Sequence, residues 1–471
     1  MLPFKEKEIR VLAGTAVMGS GFLESSLNEG LRRLPHFIGC DAGSTDPGPH
    51  YLGAGEAVFS RDAVKRDMRL LLLGARKLKV PLLIGSAGTY GGDVHLDWAY
   101  GILKEIAAEE SLQFKLALIH AEQDKDYLKK RLAEGRIKPL LNAPHFDDAV
   151  IDRSSRIVGM MGAEPFVRAL DAGADVVLAG RASDTAIYAA IPVHCGFPEG
   201  LAWHAAKILE CGTGAVVSRK TPDCMMATIR HDHCVVEPLD PTLECTPQSV
   251  AAHALYENGD PFKLIECTGT LDITNAKYEV DGDRSVRITR SAFIPAKKYT
   301  VKLEGAEFAG YQNVIIGGVR DPFIIGQIDD WTVRLREKIQ MRVTSVHADK
   351  LKPADYVIGI RIYGKNGVMG ALEPVKEIRS HEICLVIEIT APTQEFANSI
   401  ASMTRHQALH LPIKQWSGMM TTMACPYNPA YLKRGPIYRF NVNHVVEPDD
   451  PCEMFPMELV QIGAGNGEIE R

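Results

Sequence analysis

The stretch Val80-Pro-Leu-Leu-Ile84-Gly-Ser-Ala-Gly-Thr-Tyr-Gly-Gly-Asp-Val-His95 joins a short apolar run to a loop rich in glycine and hydroxyl groups. Directly after it, residues 96–110 repeat apolar side chains at spacings of three and four, which is the spacing of a helix with one buried face. A buried strand, a turn and a helix in this order are the repeating unit of open parallel α/β sheets. The stretch therefore predicts an α/β fold.

The same order recurs through the first half of the chain, where six short apolar runs predict strands. They are residues 9–13, 36–40, 80–84, 114–120, 139–142 and 174–179. Helices are predicted between them, among them residues 62–79, 96–110 and 164–172. We predict a doubly wound, mainly parallel, Rossmann-like sheet for this half.

After about residue 225 the chain becomes richer in Val, Ile, Thr and Tyr, as in residues 285–289, 298–303 and 313–317. Two more strand-like runs, 356–363 and 382–389, precede a helical stretch near residues 393–409. We therefore predict three regions. They are an α/β Rossmann-like domain that carries the site at 1–225, an α+β segment at 226–330 and an α+β C-terminal domain at 331–471.

The composition of the 471 residues is that of an ordinary globular protein, with 46% hydrophobic and 24% charged residues. The net charge of -6 disfavours nucleic acid and anionic membranes as partners. No export signal is visible at the charged N-terminus, and apolar runs such as residues 70–74 are far shorter than the ~20 residues that span a bilayer. None of the ten cysteines forms a C-x-x-C pair. We expect a soluble, cytoplasmic protein with reduced thiols.

The loop after the second predicted strand, residues 41–53, is the strongest functional signal. A loop that only connects two elements uses Gly, Pro and Asp for turn geometry, whereas this one adds two hydroxyls, a second carboxylate and an imidazole. Ligands of parallel sheets bind beyond the carboxyl ends of the strands, where this loop lies. We expect Asp41 and Asp46 to be catalytic, and Gly43, Ser44 and Thr45 to bind substrate.

The loop after the third strand is a second candidate. Its glycines, hydroxyls and tyrosine open onto a helix, and such a loop can cradle an anion. We expect Ser86, Gly88, Thr89 and Tyr90 to bind substrate. A lid hinge would use the same glycines, and the two interpretations are compatible. The turn at residues 14–21 is a weaker signal, because it lacks the spacing of known phosphate-binding loops.

The remaining strand ends also carry reactive side chains. His120 follows the fourth strand, Asn142 and His145 the fifth, and Arg181, Ser183 and Asp184 the sixth. His120, His145 and Asp184 are expected to be catalytic acids or bases, with Asn142, Arg181 and Ser183 as substrate-binding groups. Polar groups at six consecutive strand ends predict one shared pocket.

Other motifs are weaker. His231-Asp-His-Cys234 places two imidazoles on one face of a candidate strand, but no third metal ligand accompanies them. Residues 434–444 alternate like a strand that could close over the site or form a subunit contact. Hydrolase templates such as Gly-x-Ser-x-Gly are absent from the sequence.

At these residues the sequence resembles the acyclic terpene utilization (AtuA-like) family. The matching stretches are residues 39–53, 175–184, 208–212 and 255–261, which together cover roughly residues 5–325 in the expected order. The resemblance implies a role in the breakdown of branched acyl-CoA thioesters, without naming the reaction. It also implies a small companion domain, fused or separate, to which residues 331–471 show no match.

We predict a lyase of the hydratase/dehydratase type that acts on a small carboxylic acid or its CoA thioester by proton abstraction next to the carbonyl. In this interpretation His120, His145 and Asp46 move protons. The anion is held by Ser44, Thr45, Ser86, Thr89 and Arg181.

Two alternatives stay open. In the first, Asp41 and Asp46 with His50 or His120 bind a divalent ion in a metal-assisted hydrolase or lyase. In the second, the chain is a non-catalytic ligand-binding subunit that requires a partner chain. The cofactor is unknown, and a divalent metal is the one candidate. The expected partners are a small anionic substrate such as a CoA thioester, further copies of the chain in a homo-oligomer, and a small companion subunit.

Overall fold

The computed structural model describes residues 7–416, 421–463 and 469–470. Contacts between residues divide the chain into two compact units, one made of Met1–Glu307 with Phe440–Arg471 and the other of Phe308–Arg439. These limits differ from the predicted boundaries at residues 225 and 330. The division into three domains stays a prediction.

The helices and strands are numbered in chain order. The helices are α1 Glu24–Arg32, α2 Pro49–Ala54, α3 Arg61–Leu78, α4 Asp93–Glu109, α5 Lys125–Ala133, α6 Asp148–Arg153, α7 Glu164–Asp171, α8 Ala186–His194, α9 Glu199–Leu209, α10 Pro247–Ala254, α11 Pro322–Ile325, α12 Ile328–His347 and α13 Gln394–His410. The strands are β1 Glu8–Ala13, β2 Phe37–Asp41, β3 Leu82–Gly85, β4 Phe114–Ile119, β5 Ile137–Pro139, β6 Ser154–Met160, β7 Val176–Ala179, β8 Met225–Arg230, β9 Cys234–Pro238, β10 Lys263–Glu266, β11 Gly269–Asp272, β12 Lys277–Asp281, β13 Ser285–Thr289, β14 Ala292–Pro295, β15 Val301–Val319, β16 Val357–Tyr363, β17 Ile383–Ala391, β18 Tyr431–Val446, β19 Met457–Ile462 and β20 Ile469–Glu470.

An eleven-stranded sheet runs through the first unit in the order β12-β13-β9-β8-β1-β2-β3-β7-β4-β19-β20. Its centre, β1-β2-β3-β7-β4, is parallel, and antiparallel strands extend it on both sides. Five of the six predicted strands are these central strands. The fold is therefore mixed α/β, and the more specific doubly wound, Rossmann-like arrangement stays a prediction.

Alternate side chains of the parallel strands enter two different apolar cores. Val11 and Val177 belong to the core that contains residues of α7, α8 and α9. Leu12 and Leu178 belong to the core that contains residues of α1, α3 and α4. Each fully buried Val or Leu stabilises the fold by roughly 1.5–3 kcal/mol, so the near-continuous apolar runs of these strands are explained by burial on both faces.

The predicted fifth strand, residues 139–142, is wrong. The strand lies at β5 and pairs antiparallel with β18, outside the parallel sheet. Pro139 ends it, and Leu141 is 86% exposed. Asn142 adopts a left-handed conformation with φ 58°. The two leucines that suggested a buried strand therefore lie in an exposed turn.

Strands outside the central sheet complete the surroundings of the site. The first residues of β15 pair antiparallel with β6, with Lys302 opposite Met160. Strands β10, β11 and β14 form a small antiparallel sheet. Side chains alternate between the two faces of a strand, so Lys302 and Glu304 of β15 share one face.

In the second unit, β17 pairs antiparallel with β15 and β16. Residues of α12 and α13 share an apolar core with β17, including Trp331, Ile387 and Ile400. The predicted strands at residues 356–363 and 382–389 and the helix at 393–409 are confirmed within two residues as β16, β17 and α13. The alternating run at residues 434–444 is confirmed as part of β18. Among the described residues, no helix has the length and apolar character needed to cross a membrane.

Candidate functional site

A cavity of about 330 Å³ lies in the first unit, beyond the carboxyl ends of β2 and β7. Its wall combines the loops that follow these two strands with parts of α9, β10 and β15 and the segment after α10. The lining residues are Ser44, Thr45, Asp46, Met160, Arg181, Ser183, Asp184, Thr185, Lys207, Glu210, Glu257, Asn258, Leu264, Ile265, Glu266, Lys302 and Glu304. We call this cavity the carboxyl pocket, because six of its side chains carry carboxyl groups.

The loop after β2 is held close to the next loop of the sheet by Gly43. This residue has φ 147°, and a Cβ atom added to it would lie 2.5 Å from Cα of Thr89. Only glycine allows that approach. The turn then places Thr45 on the pocket wall, where its hydroxyl donates to Oε1 of Glu304 at 3.0 Å, and Ser44, whose hydroxyl donates to Asp46 at 2.8 Å.

Arg181, the second residue after β7, is the buried centre of the wall. Its Nε donates to Oε2 of Glu304 at 2.8 Å. Its Nη1 donates to Ser86 and Asp184, both at 3.1 Å, and to the backbone oxygen of Ala182. A guanidinium group presents donors in a fixed planar fork, so these bonds fix both its position and its orientation.

The loop after β3 supports Arg181 from behind. The backbone oxygen of Gly91 accepts from the amide of Arg181 at 3.0 Å, and a Cβ atom on Gly91 would lie 2.0 Å from that amide nitrogen. Tyr90 is fully buried and donates its hydroxyl to the backbone oxygen of Gly48 at 2.7 Å. This loop holds other parts of the wall in place, and its Ser86 hydroxyl accepts a hydrogen bond from Arg181.

Glu304 remains ionised although it is buried. Burial by itself would raise its pKa, but the neighbouring Arg181 and Lys302 cations outweigh burial and lower the pKa to about 2. Lys302 donates to Oε1 of Glu304 at 2.8 Å. Arg181, Glu304 and Lys302 therefore form a fixed, fully charged group on one side of the pocket.

The pKa of Glu266 is raised, whereas that of Glu304 is lowered. Burial raises the pKa of Glu266 to about 7, even though hydrogen bonds from Thr185 and Ser183 favour the charged form. The Ser183 hydroxyl donates to Oε2 at 2.8 Å, and the Thr185 hydroxyl donates to Oε1. A carboxyl group with a pKa near 7 can both release and take up a proton at neutral pH.

Lys207 lies in the last turn of α9, Glu210 is the residue directly after that helix, and the two side chains form a buried ion pair. Burial raises the pKa of Glu210, Lys207 opposes this effect, and the nearby Asp184 and Glu266 raise the pKa further. For Lys207, the attraction of Glu210 outweighs burial and raises the pKa. The pocket thus contains a charged lysine beside a second carboxyl group with an increased proton affinity.

Asp41 is buried and Asp184 is half-buried, and both carboxyl groups lie near Arg181. Burial raises the pKa of both, and the charge of Asp184 adds to the effect on Asp41. The amide of Asp41 donates to the Tyr188 hydroxyl at 3.2 Å, and the amide of Gly43 donates to Oδ1 of Asp41 at 3.1 Å. Asp184 lines the pocket, whereas Asp41 lies outside its lining.

The structure brings predicted residues from two loops together in the pocket, the loop after β2 and the loop after β7. The predicted residues that line the pocket are Ser44, Thr45, Asp46, Arg181, Ser183 and Asp184. Those packed outside its lining are Asp41, Gly43, Ser86, Gly88, Thr89 and Tyr90. Gly88 and Thr89 border a small, mostly apolar void instead.

His120, His145 and Asn142 are not part of the pocket lining. His120 lies 2.9 Å from Asp93, whose hydrogen bond raises the pKa of the imidazole. The side chain of His145 is 81% exposed and contacts Asp147. The prediction that all six strand ends share one pocket is therefore wrong. Its failure at His145 and Asn142 follows from the position of β5 in a different sheet.

The weaker motif at residues 231–234 is a turn, because β8 ends at Arg230 and β9 begins at Cys234. His231 stacks on Phe197 with ring centroids 4.6 Å apart, and His233 contacts Asp232 at 2.7 Å. For a metal ion, we find no suitable cluster of three or more His, Cys, Asp or Glu side chains in the part of the chain that the structure describes.

The sequence interpretation missed four of the six residues that give the pocket its carboxyl groups, and both of its lysines. The missed residues are Met160, Thr185, Lys207, Glu210, Glu257, Asn258, Leu264, Ile265, Glu266, Lys302 and Glu304. A signal existed for three of them, because Glu210, Glu257 and Asn258 lie inside the quoted stretches 208–212 and 255–261. Lys302 and Glu304 lie in an ordinary-looking strand and had no such signal.

The fold and the site together define a mixed α/β protein with a carboxyl-rich pocket at the ends of parallel strands. Residues 88–433 match the family described as acyclic terpene utilisation family protein AtuA. The chain belongs to this family. The match includes most of the C-terminal segment that showed no resemblance in the sequence, and it begins after the loop at residues 39–53. No curated protein and no solved structure matches the chain.

Proposed function

We propose that this protein is a lyase of the hydratase/dehydratase type that acts on a small carboxylic acid or its CoA thioester. The observation that carries the proposal is Glu266, a buried carboxyl group with a pKa of about 7 on the wall of a pocket that also contains buried cations. Removal of a proton next to a carbonyl needs a base that works near neutral pH and a positive charge beside the developing oxyanion. Both are present on the same wall.

In the proposed reaction, ionised Glu266 removes the proton next to the carbonyl. The electron pair of the C–H bond moves toward the carbonyl oxygen, whose negative charge is stabilised by Arg181 and Lys302. The electron pair then returns to form the double bond, and the hydroxyl on the neighbouring carbon leaves as water with a proton from Glu210. Hydration is the reverse sequence. Preorganised charges of this kind commonly contribute 10²–10³-fold to rate.

This assignment changes the proton-transfer groups that the sequence suggested. Glu266 and Glu210 take the roles first given to His120 and His145, because the pocket contains the two glutamates and neither histidine. Arg181 keeps its predicted role at the anionic end of the substrate. Ser44 and Thr45, which the sequence predicted to hold the anion, orient Asp46 and Glu304 in this proposal.

The volume of the pocket supports a small reacting group. About 330 Å³ is at the lower end of the range for ligand pockets. A short acid fits entirely within it, and a CoA thioester would place only its acyl end there. A cytoplasmic location, a homo-oligomeric state and a small companion subunit stay predictions.

The test is turnover by wild-type protein and Glu266→Gln on an acid or thioester that raises the melting temperature in a ligand screen. Glu279→Gln is a matched control, because Glu279 is exposed on β12. We expect Glu266→Gln to lower kcat by at least about 10²-fold, with the control unchanged. If turnover by Glu266→Gln equals that of wild type, Glu266 is not the acid–base group and the proposal fails.

A further inference from the structure

The charges on the wall of the carboxyl pocket do not balance. Its three cations, Arg181, Lys207 and Lys302, each already contact a carboxylate of the same wall. Three further carboxyl groups have no cation within ion-pair distance among the described residues. They are Asp46, Glu257 and Glu266. The wall therefore has twice as many carboxyl groups as cations, six against three.

Individual atoms on the wall also lack partners. Glu210 is 8% exposed, and only its Oε1 accepts a hydrogen bond, from Lys207, among the described residues. Arg181 is 5% exposed, and its Nη2 donates to none of the described residues. Oε2 of Glu210 and Nη2 of Arg181 belong to buried side chains on the wall of the cavity, and polar atoms of this kind are expected to bind complementary groups of a ligand.

We propose that the substrate carries an ammonium group as well as its carboxylate or thioester carbonyl, so that it is an amino acid or an aminoacyl thioester. The inference rests on the proton abstraction by Glu266 in the proposed function and replaces water with ammonia as the leaving group. The carboxylate or carbonyl lies toward Arg181 Nη2, and the ammonium group lies toward Glu210 and the unpaired carboxylates. An ammonium group has three donors and one positive charge, which matches several acceptors that lack a cation.

A plain hydroxy acid would bind less well in the same pocket. Its carboxylate could use Arg181, but it would leave Asp46 and Glu257 without a positive charge, and its own charge would be repelled by them. The excess of carboxyl groups therefore favours binding of a substrate with an amino group over one that carries a hydroxyl group in the same position.

The proposed elimination changes in its leaving group and in the role of Glu210, which accepts a hydrogen bond from the ammonium group and no longer donates a proton. Glu266 takes the C–H proton, and the electron pair of that bond becomes the new C=C bond. The electron pair of the C–N bond leaves with nitrogen, and the ammonium group departs as ammonia. No electron acceptor is needed, because the reaction is an elimination without net oxidation.

The test uses pairs of ligands that differ in this one group. Suitable pairs are L-aspartate with L-malate, β-alanine with 3-hydroxypropionate, and the CoA thioesters of the second pair. Calorimetry measures binding, and absorbance of the conjugated double bond measures turnover, because both members of a pair give the same unsaturated product. We expect the amino member of at least one pair to bind at least about tenfold more tightly, which corresponds to about 1.4 kcal/mol.

Variants locate the effect in the pocket. Asp46→Asn and Glu257→Gln should each reduce the preference for the amino member, mainly by weakening its binding, whereas Glu279→Gln should leave the preference unchanged. Equal or tighter binding of the hydroxyl member, together with its turnover, would overturn this inference and leave the proposed function standing. If neither member of any pair binds or reacts, the inference and the proposed function both fail.

Discussion

Replacing Glu266 with glutamine should stabilise the protein at alkaline pH and change it little at acid pH. In the folded protein, burial raises the pKa of Glu266 from its ordinary value of 4.5 to about 7. The folded state therefore binds this proton more tightly than the unfolded chain does. The contribution of Glu266 to stability is complete below about pH 4.5 and is lost as the pH rises through 7.

The size of the effect follows from the same values. One pKa unit corresponds to about 1.4 kcal/mol, so ionised Glu266 destabilises the folded state by roughly 3 kcal/mol relative to its protonated form. Most of this change, roughly 2–3 kcal/mol, falls between pH 5 and pH 8. Glutamine stays neutral and can still hydrogen bond to Ser183 and Thr185. The free energy of unfolding of Glu266→Gln should therefore exceed that of wild type by roughly 2–3 kcal/mol more at pH 8 than at pH 5.

Urea unfolding at the two pH values, followed by tryptophan fluorescence, measures this difference. Glu304→Gln is the contrasting variant, because Arg181 and Lys302 lower the pKa of Glu304 to about 2 against the effect of burial. The Glu304→Gln substitution should destabilise the protein by about 3 kcal/mol at both pH values, since Glu304 is ionised throughout this range. A difference between Glu266→Gln and wild type that is the same at pH 5 and pH 8 would refute the reasoning.

Three other predictions concern the pocket and its surroundings. Arg181→Met should destabilise the first unit by about 3–5 kcal/mol in urea unfolding, because it leaves Glu304 buried without its main partner. A loss below about 1 kcal/mol would contradict the role of Arg181 as that partner. Gly43→Ala should lower stability by at least about 1–3 kcal/mol in the same assay, because its left-handed conformation and its approach to Thr89 exclude a Cβ atom; an unchanged melting curve would disprove the steric argument. His145→Ala should keep kcat/KM within about twofold of wild type, because His145 is exposed and outside the pocket lining. A loss of about a hundredfold would show that His145 belongs to the active site.

The sequence was sufficient to predict the central sheet because its strands are buried on both faces. Such strands are near-continuous apolar runs, and five of the six that were predicted are the parallel strands. The strand prediction at residues 139–142 was wrong because these residues also look like a buried apolar run. Leu140 and Leu141 resemble the end of a buried strand, but β5 is only three residues long and its sheet is formed with β18, about 300 residues later in the chain. A pairing over that distance leaves no local signal.

The candidate site was predictable only where it follows the parallel strands. Ser44, Thr45, Asp46 and Arg181 lie at strand ends, where the topology itself indicates a ligand. Glu266 and Glu304 lie on strands outside the central sheet, and they reach the pocket through pairings that a single sequence does not reveal. Their charge states could not be inferred either, because a neighbouring Arg181 lowers the pKa of one glutamate while burial raises that of the other.

The most direct test of the central claim is exchange of the substrate's carbon-bound hydrogen with solvent deuterium, measured by NMR on a ligand found by thermal shift. If Glu266 removes the proton next to the carbonyl, wild-type protein should exchange that hydrogen, and the exchange rate should rise with pH through about 7. Glu266→Gln should bind the ligand and show no exchange above the uncatalysed rate. Exchange by Glu266→Gln at the wild-type rate would contradict the account.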